Sequence, residues 1–348
     1  MANKGQCANG HWYDRDKYQV CPHCGAQDNT PEPQKEEVKE KTVQEEVNVE
    51  DLFYLKPDSG LKNNRYIIKE RVGQGGFGVT YKAFDVNLER NVAIKEFFSP
   101  SLMHREASGN SVTVYPSARD SFEMQLAKFK REARVMSMFK NTTNCINTYD
   151  TFEENGTAYI VMEYIEYTTL KEYMKSRTEA IPLSEIKEII LQVLAGIEQI
   201  HQKGVYHLDI APDNIFIGRP DGELKIIIYD FGAARLKDSV WDITDSDIVV
   251  KQGYTPLEQY SRKGNVGPWT DVYAAGANLY QMLTGQKPLG AIDRADEDTL
   301  AKPSQLRKMP SALSEVTMKA MSLRPEGRYQ NAEFFLRDIR RIMIRHGK

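Results

Sequence analysis

Three polar residues, Asp209, Asn214 and Asp230, lie in two short motifs bordered by apolar residues. His207-Leu208-Asp209 is followed by Asn214 and, further along, by Asp230-Phe231-Gly232. Asp209 can accept a proton from a hydroxyl group, and Asn214 and Asp230 offer oxygen ligands that suit a small divalent cation. A His-x-Asp sequence alone has little meaning, but its combination with Asp-Phe-Gly in this order is far more specific. Because such a site is assembled from separated elements, its other parts should occur upstream in a fixed order.

A glycine-rich segment upstream lies between two predicted strands. Residues 65–72 have a mixed apolar pattern, and after the glycines Val79, Tyr81 and Ala83 alternate with polar residues. A dinucleotide-binding fold would instead place a helix directly at the glycines and an acidic residue about twenty residues further on. The pattern therefore predicts a hairpin whose N–H groups can approach phosphate oxygens, whereas an ordinary glycine hairpin would be preferred if the segment stood alone. The segment is Gly73-Gln74-Gly75-Gly76-Phe77-Gly78.

A lysine, Lys95, ends the short apolar strand Val92-Ala93-Ile94-Lys95. A cation directed inward is costly unless it meets a phosphate or a carboxylate. The helix predicted over residues 122–139 offers Glu123 and Glu132. Glu132 is the predicted partner because it lies beside the apolar stripe, whereas Glu123 is in the first turn, where an acid favours the helix N-terminus. The alternative is a surface lysine and a solvated glutamate. It is disfavoured because a lysine in an apolar strand is expected to be buried, and buried lysines are almost always paired.

From about Leu61 to the C-terminus, the chain resembles a eukaryotic-type protein kinase of the kind found in bacteria. The motifs above carry this resemblance, together with the strand and hinge Ile160–Ile165 and with Pro256-Leu257-Glu258. By the same resemblance, Asp271 is expected to be a buried capping residue and Arg328 the ion-pair partner of Glu258.

The resemblance implies an α+β, two-lobed kinase fold, with a small β-rich N-lobe at about 61–165 and a larger helical C-lobe at about 166–348. A zinc-ribbon-like module at 1–26 and a flexible acidic linker at 27–60 are expected to precede the kinase domain at 61–348. Helical periodicity predicts C-lobe helices at 183–203, 269–284 and 331–343.

The resemblance also implies the chemistry, which is transfer of the ATP γ-phosphate to Ser or Thr hydroxyls of protein substrates. Asp209 would be the catalytic base, Asn214 and Asp230 would hold Mg²⁺, and Lys95, fixed by Glu132, would grip the ATP phosphates. Met162 stands at the position that gates the back of the adenine pocket. The full set of implied nucleotide contacts is Gly73, Gln74, Gly75, Gly76, Phe77, Gly78, Val79, Ala93, Lys95, Met162, Glu163 and Ile165.

Two positions depart from the family pattern. Leu208 stands where most members have the Arg that gathers a phosphorylated activation loop, and Ala211 stands where Ser/Thr kinases carry a Lys. Losing one such donor is expected to cost on the order of 10²-fold in rate. Tyrosine kinases also have Ala there, with a further Arg that this chain lacks, so the acceptor class stays open. The alternative is an ATP-binding pseudokinase scaffold, which is disfavoured because five catalytic positions are retained.

Four residues near the N-terminus have the spacing of a structural zinc site: Cys7, His11, Cys21 and Cys24. His23 is a weaker candidate because it lies between two ligands. Cys145 is expected to be a core residue. No secretory signal is evident and cysteines are few, which favours a reduced, cytoplasmic compartment over disulfides. The module is expected to be structural or to dock a partner protein.

Charge and hydropathy limit the remaining partners. The formal net charge is −3 and no basic footprint is evident, so nucleic-acid binding is not expected. No apolar run is long enough for a membrane span. The long segment between Lys95 and Glu132 is expected to elaborate the smaller lobe and to help place the helix of Glu132.

Overall fold

The computed structural model describes residues 4–14, 16–27, 53–75, 78–106, 109–237 and 248–345. They belong to two compact units that divide between residues 47 and 48. Most of the predicted linker, as well as Gly76 and Phe77 of the glycine segment, lies outside the described ranges.

The described elements are fifteen strands and eight α-helices. The strands are β1 (Lys4–Gln6), β2 (Trp12–Asp14), β3 (Gly60–Leu61), β4 (Tyr66–Gly75), β5 (Gly78–Asp85), β6 (Arg90–Glu96), β7 (Met103–Arg105), β8 (Val112–Val114), β9 (Thr148–Glu154), β10 (Thr157–Glu163), β11 (Thr168–Thr169), β12 (Val205–Tyr206), β13 (Ile215–Gly218), β14 (Lys225–Ile228) and β15 (Arg235–Leu236). The helices are α1 (Arg119–Met136), α2 (Leu170–Lys175), α3 (Leu183–Gln202), α4 (Pro268–Thr284), α5 (Ala291–Asp296), α6 (Pro303–Leu306), α7 (Ser311–Ala320) and α8 (Ala332–Arg345).

The N-terminal unit is a two-stranded antiparallel sheet of β1 and β2, in which Gly5 is opposite Tyr13. Its small core consists of the buried side chains of Cys7, Tyr13 and Cys21. So few buried apolar groups cannot hold a fold of this size without a cross-link or a metal.

The small lobe of the second unit is built on a six-stranded antiparallel sheet in the order β3-β4-β5-β6-β10-β9. The predicted hairpin across the glycine segment is present, because β4 pairs with β5 as far as Gly75 and Gly78. Val79, Tyr81 and Ala83 are fully buried on one face of β5, as their alternation predicts.

Helix α1 packs on this sheet and starts and ends three residues earlier than predicted. A 3₁₀ turn at Pro116–Ala118 leads directly into it, which explains the early start. At its C-terminal end, the Ser137 hydroxyl donates to the Arg134 carbonyl at 2.7 Å and satisfies a group of the last turn. Glu132 is among its buried residues.

The segment before α1 forms an antiparallel hairpin of β7 and β8 in the small lobe. Val112 donates its N–H to the Asn155 carbonyl at 2.8 Å, and Tyr115 donates to the Leu102 carbonyl at 2.9 Å. The predicted elaboration of the smaller lobe is therefore present in the described residues.

The large lobe is helical, and the three predicted helices are confirmed as α3, α4 and α8. The predicted stripe of α3, from Ile186 to Ile200, is fully buried. α8 begins one residue later than predicted because Asn331 caps it, its Oδ1 accepting from the Phe334 N–H at 2.9 Å. Cys145 is a buried core residue, as predicted. Among the described helices, none has an apolar stretch long enough for a bilayer.

Candidate active site

Lys95 lies at the end of β6, where the sheet meets α1. Its Nζ is 2.7 Å from Glu132 Oε1 and 4.0 Å from Asp230 Oδ1. Burial disfavours the charged form of Lys95, but Glu132 and Asp230 outweigh this effect and raise its pKa. The predicted Lys95–Glu132 contact is therefore present, and it fixes a cation beside the carboxylate of Asp230.

The glycine hairpin joins β4 to β5, and β5 pairs with β6, the strand that carries Lys95. A Cβ at Gly73 or Gly75 would meet no atom within 4 Å, so both face open space, whereas a Cβ at Gly78 would lie 2.1 Å from the Glu96 carbonyl oxygen. Gly78 is therefore required by the close approach of β5 to β6.

The strand that leads to the hinge lies beside these elements. Met162 is opposite Ala93 in the β10–β6 register. Val79 and Ala93 are both buried, and Glu163 and Ile165 are half-buried at the end of β10 and just beyond it. Paired residues of neighbouring strands point to the same face of a sheet, so Ala93 and Met162 share one face with Lys95. Val79 is paired with Glu96, so its side chain lies on the opposite face, away from these predicted nucleotide contacts.

Asp209 and Asn214 are brought together by the loop between β12 and β13. Asn214 Nδ2 donates to Asp209 Oδ2 at 2.6 Å and to the Asp209 carbonyl at 3.0 Å. Because the amide donates through Nδ2, its Oδ1 is the atom that suits a cation.

Asp271, in the first turn of α4, holds the start of this loop. It accepts hydrogen bonds from the N–H groups of His207 and Leu208, both at 2.8 Å, and it is fully buried. Leu208 has a φ of 61°, which is unusual for a branched side chain, so the anchoring overrides a local strain. The expectation that Asp271 is a buried capping residue is confirmed.

Asp230 has a φ of 63°, and the next residue, Phe231, enters the core. The Phe231 ring stacks on Phe139 with centroids 4.9 Å apart and contacts His207 at 4.8 Å. Lys95 and the Gly232 amide outweigh the effect of burial and lower the pKa of Asp230. Its charged carboxylate is thus compatible with a divalent cation.

The Asp209 carboxylate lies deep in the cleft, with 11% of its side chain exposed. Burial raises its pKa to about 7, although the nearby Lys251 and the Asn214 amide work in the opposite direction. An acid with this pKa can both accept and release a proton near neutral pH.

Lys251 belongs to this site, although it was not predicted from the sequence. Its Nζ is 2.9 Å from Asp209 Oδ2 and 2.9 Å from Asp213 Oδ1. The signal that could have found it is the missing lysine at Ala211, since a lost cation invites a search for a replacement. Lys251 lies only five residues before the Pro256-Leu257-Glu258 motif.

The predicted ion pair of Glu258 and Arg328 is confirmed. Arg328 donates from Nη1 to Oε1 at 2.6 Å and from Nη2 to Oε2 at 3.1 Å, and its side chain is fully buried. This bidentate contact joins Glu258, at the end of the activation segment that runs from Asp230 to Glu258, to the large lobe.

In the N-terminal unit, the ligand atoms of Cys7, His11, Cys21 and Cys24 all lie within 4.8 Å of one another. Cys24 Sγ is 3.6 Å from Cys7 Sγ and 3.4 Å from His11 Nδ1. Tetrahedral zinc, with thiolates about 2.3 Å away, separates its ligand atoms by about 3.8 Å. Hydrogen bonds from the Ala26 amide and the Asn9 side chain lower the pKa of Cys24 to about 6. The four residues thus fit one zinc ion.

The chain is similar in sequence to curated bacterial serine/threonine-protein kinases. The chain is 31% identical over 287 residues to a probable serine/threonine-protein kinase of Clostridium acetobutylicum, covering 80% of this chain and 40% of the relative. It is 32% identical over 285 residues to serine/threonine-protein kinase PrkC of Bacillus subtilis, with 80% and 40% covered. The chain thus spans about two fifths of the length of these curated relatives.

Solved structures show the same fold. The apo form of PpkA-294 superposes with a TM-score of 0.70 at 30% identity, covering 82% of this chain and 99% of that one. The kinase domain of Mycobacterium tuberculosis PknI superposes with a TM-score of 0.60 at 20% identity and supports the fold alone. The predicted two-lobed α+β fold is confirmed, and the family model described as the protein kinase domain matches residues 66–335. This chain therefore belongs to the protein kinase family, whose members use ATP and Mg²⁺.

Proposed function

We propose that the chain is an active serine/threonine-protein kinase. The observation that carries this proposal is the assembled cleft, in which Lys95 pairs with Glu132 and lies 4.0 Å from Asp230, while Asn214 contacts Asp209. Positions that act only together in phosphoryl transfer are thus in contact, although they are far apart in sequence.

Each side chain has a role in this proposal. Asp209 orients the acceptor hydroxyl and takes its proton as the oxygen forms a bond to the γ-phosphorus and the bond to the ADP oxygen breaks. Lys95, held by Glu132, binds the α- and β-phosphates. Asn214 and Asp230 hold Mg²⁺, which neutralises phosphate charge when bound. Burial of Asp209 keeps its pKa near neutrality, where a proton acceptor works well.

The acceptor class is proposed from the relatives, which are named as serine/threonine kinases. A generic acceptor protein is incubated with the chain and γ-labelled ATP. Acid hydrolysis of the labelled acceptor then releases phosphoamino acids, and their separation distinguishes phosphoserine and phosphothreonine from phosphotyrosine. We expect the first two with the wild-type chain and no label with Asp230→Ala. Phosphotyrosine as the main product would overturn the proposed class.

A pseudokinase scaffold is the competing function, and the active site gives it no support. Departures from the family pattern at Leu208 and Ala211 leave every contact among Lys95, Glu132 and Asp230 intact. Pseudokinases usually lack at least one of these catalytic residues, so an active enzyme is the better proposal.

For the N-terminal unit, the proposal is a structural zinc ion held by Cys7, His11, Cys21 and Cys24. The fit of the four ligand atoms and the very small core support it. Four protein ligands close the coordination shell, so the metal stabilises the fold and takes no part in phosphoryl transfer. The exposed Trp12, 62% accessible, gives this unit an apolar group for docking a protein partner.

A further inference from the structure

We propose that Lys251, in the activation segment, supplies the cation that the catalytic loop lacks at Ala211 and that it stabilises the charge of the transferring phosphoryl group. This inference rests on the proposed kinase activity. In that reaction the γ-phosphorus leaves the ADP oxygen for the acceptor oxygen, the acceptor proton passes to Asp209, and Lys251 contributes charge without forming a bond.

The position of the Lys251 ammonium group carries the proposal. Nζ is 2.9 Å from Asp209 Oδ2 and 2.9 Å from Asp213 Oδ1, so one cation bridges two carboxylates of the catalytic loop. Asp209 is the residue that the acceptor hydroxyl must approach. A cation in contact with the Asp209 carboxylate is therefore close to the phosphoryl group as it moves from the ADP oxygen to the acceptor oxygen.

The main chain of Lys251 is fixed by the turn that follows. Its N–H donates to Thr255 Oγ1 at 2.8 Å, and its carbonyl accepts from the N–H groups of Tyr254 and Thr255, both at 3.0 Å. The lysine side chain is only 25% exposed. A side chain held this way loses less freedom on meeting a phosphate than a free surface lysine would.

Ala211 and the activation segment are complementary in size. Ala211 is 1% exposed and belongs to the same buried cluster as Tyr254 and Tyr273. A lysine at 211 would have to enter space that this cluster fills, whereas the small methyl group lets the segment pack on the loop. The cation therefore comes from the segment, and its delivery depends on that segment being docked.

The test is Lys251→Met, with Lys263→Met as the matched control because Lys263 is exposed and lies in the same part of the chain. We expect kcat to fall on the order of 10²-fold in Lys251→Met, whereas KM for ATP should rise by no more than about tenfold, so that most of the loss is in kcat. Lys251→Arg should retain more activity than Lys251→Met. Lys263→Met should behave as wild type. A kcat for Lys251→Met within about threefold of wild type would overturn the inference while leaving the kinase proposal standing.

A binding measurement decides the inference even if the wild-type chain transfers no phosphate, an outcome that would defeat the proposed function. Affinities for Mg²⁺-AMP-PNP and Mg²⁺-ADP are compared in wild type and Lys251→Met. A lysine at the γ-phosphate should favour the analogue with three phosphates, and its loss should reduce this preference about tenfold. With an inactive wild type, an unchanged preference would overturn the inference.

Discussion

Arg105 contacts Glu96 in the interior of the small lobe, with Nη2 2.7 Å from Oε2 and both side chains at most 4% exposed. Glu96 also accepts from the hydroxyl groups of Tyr81 and Tyr159, each at 3.0 Å. Arg105 lies on β7, whereas Glu96 follows Lys95 directly. This buried contact thus joins the inserted hairpin to the strand that carries the phosphate-binding lysine.

Removing Arg105 should destabilise the small lobe. In Arg105→Met, Glu96 would remain buried without its cation, at a cost of about 3–5 kcal/mol in the free energy of unfolding. Denaturant unfolding monitored by fluorescence measures this cost. The double variant Glu96→Gln/Arg105→Met removes both charges and should recover much of the loss. Equal stability of Arg105→Met and wild type would show that the hairpin contributes little to the lobe.

Activity should decline in mild acid because Asp209 must be ionised to accept a proton. Burial raises its pKa to about 7, so the protonated fraction grows as pH falls below that value. The rate constant kcat/KM, measured from about pH 5.5 to about 8.5, should therefore rise with pH and level off above about 7.5. Circular dichroism at each pH controls for unfolding. A profile that stays flat down to about pH 5.5 would contradict this role for Asp209.

One zinc ion per chain should copurify with the protein, and Cys21→Ser should abolish it. Cys21 is a buried ligand, so its loss removes both a thiolate and part of the small core. Elemental analysis of freshly purified protein gives the number of zinc ions per chain. Cys145→Ala is the matched control, since Cys145 is a buried cysteine of the kinase unit and should leave the metal in place. A wild-type chain without zinc would rule out the metal site.

The sequence was most informative where pattern and chemistry agree. The apolar stripe of α3 and the alternation in β5 predict their buried faces because periodicity follows directly from helix and strand geometry. The choice of Glu132 over Glu123 depended on the same periodicity. The ion pair of Glu258 and Arg328 came only from family resemblance, since nothing local joins residues so far apart in sequence.

Tertiary placement accounts for what the sequence did not reveal. Lys251 reaches Asp209 only because the activation segment folds back onto the catalytic loop, and no local pattern encodes that return. The start of α1 was displaced because a 3₁₀ turn leads into it, which periodicity does not register. The positive φ of Leu208 likewise depends on its distant partner Asp271.

The most direct test of the central claim compares the wild-type chain with Asp209→Asn, using Mg²⁺, γ-labelled ATP and a generic acceptor protein. Nucleotide binding is followed by the rise in melting temperature that ATP causes. We predict label transfer by the wild type, at least about 10²-fold less by Asp209→Asn, and a similar rise in melting temperature for both. If ATP stabilised both proteins but neither transferred label, the chain would be a nucleotide-binding scaffold and the proposed kinase activity would be wrong.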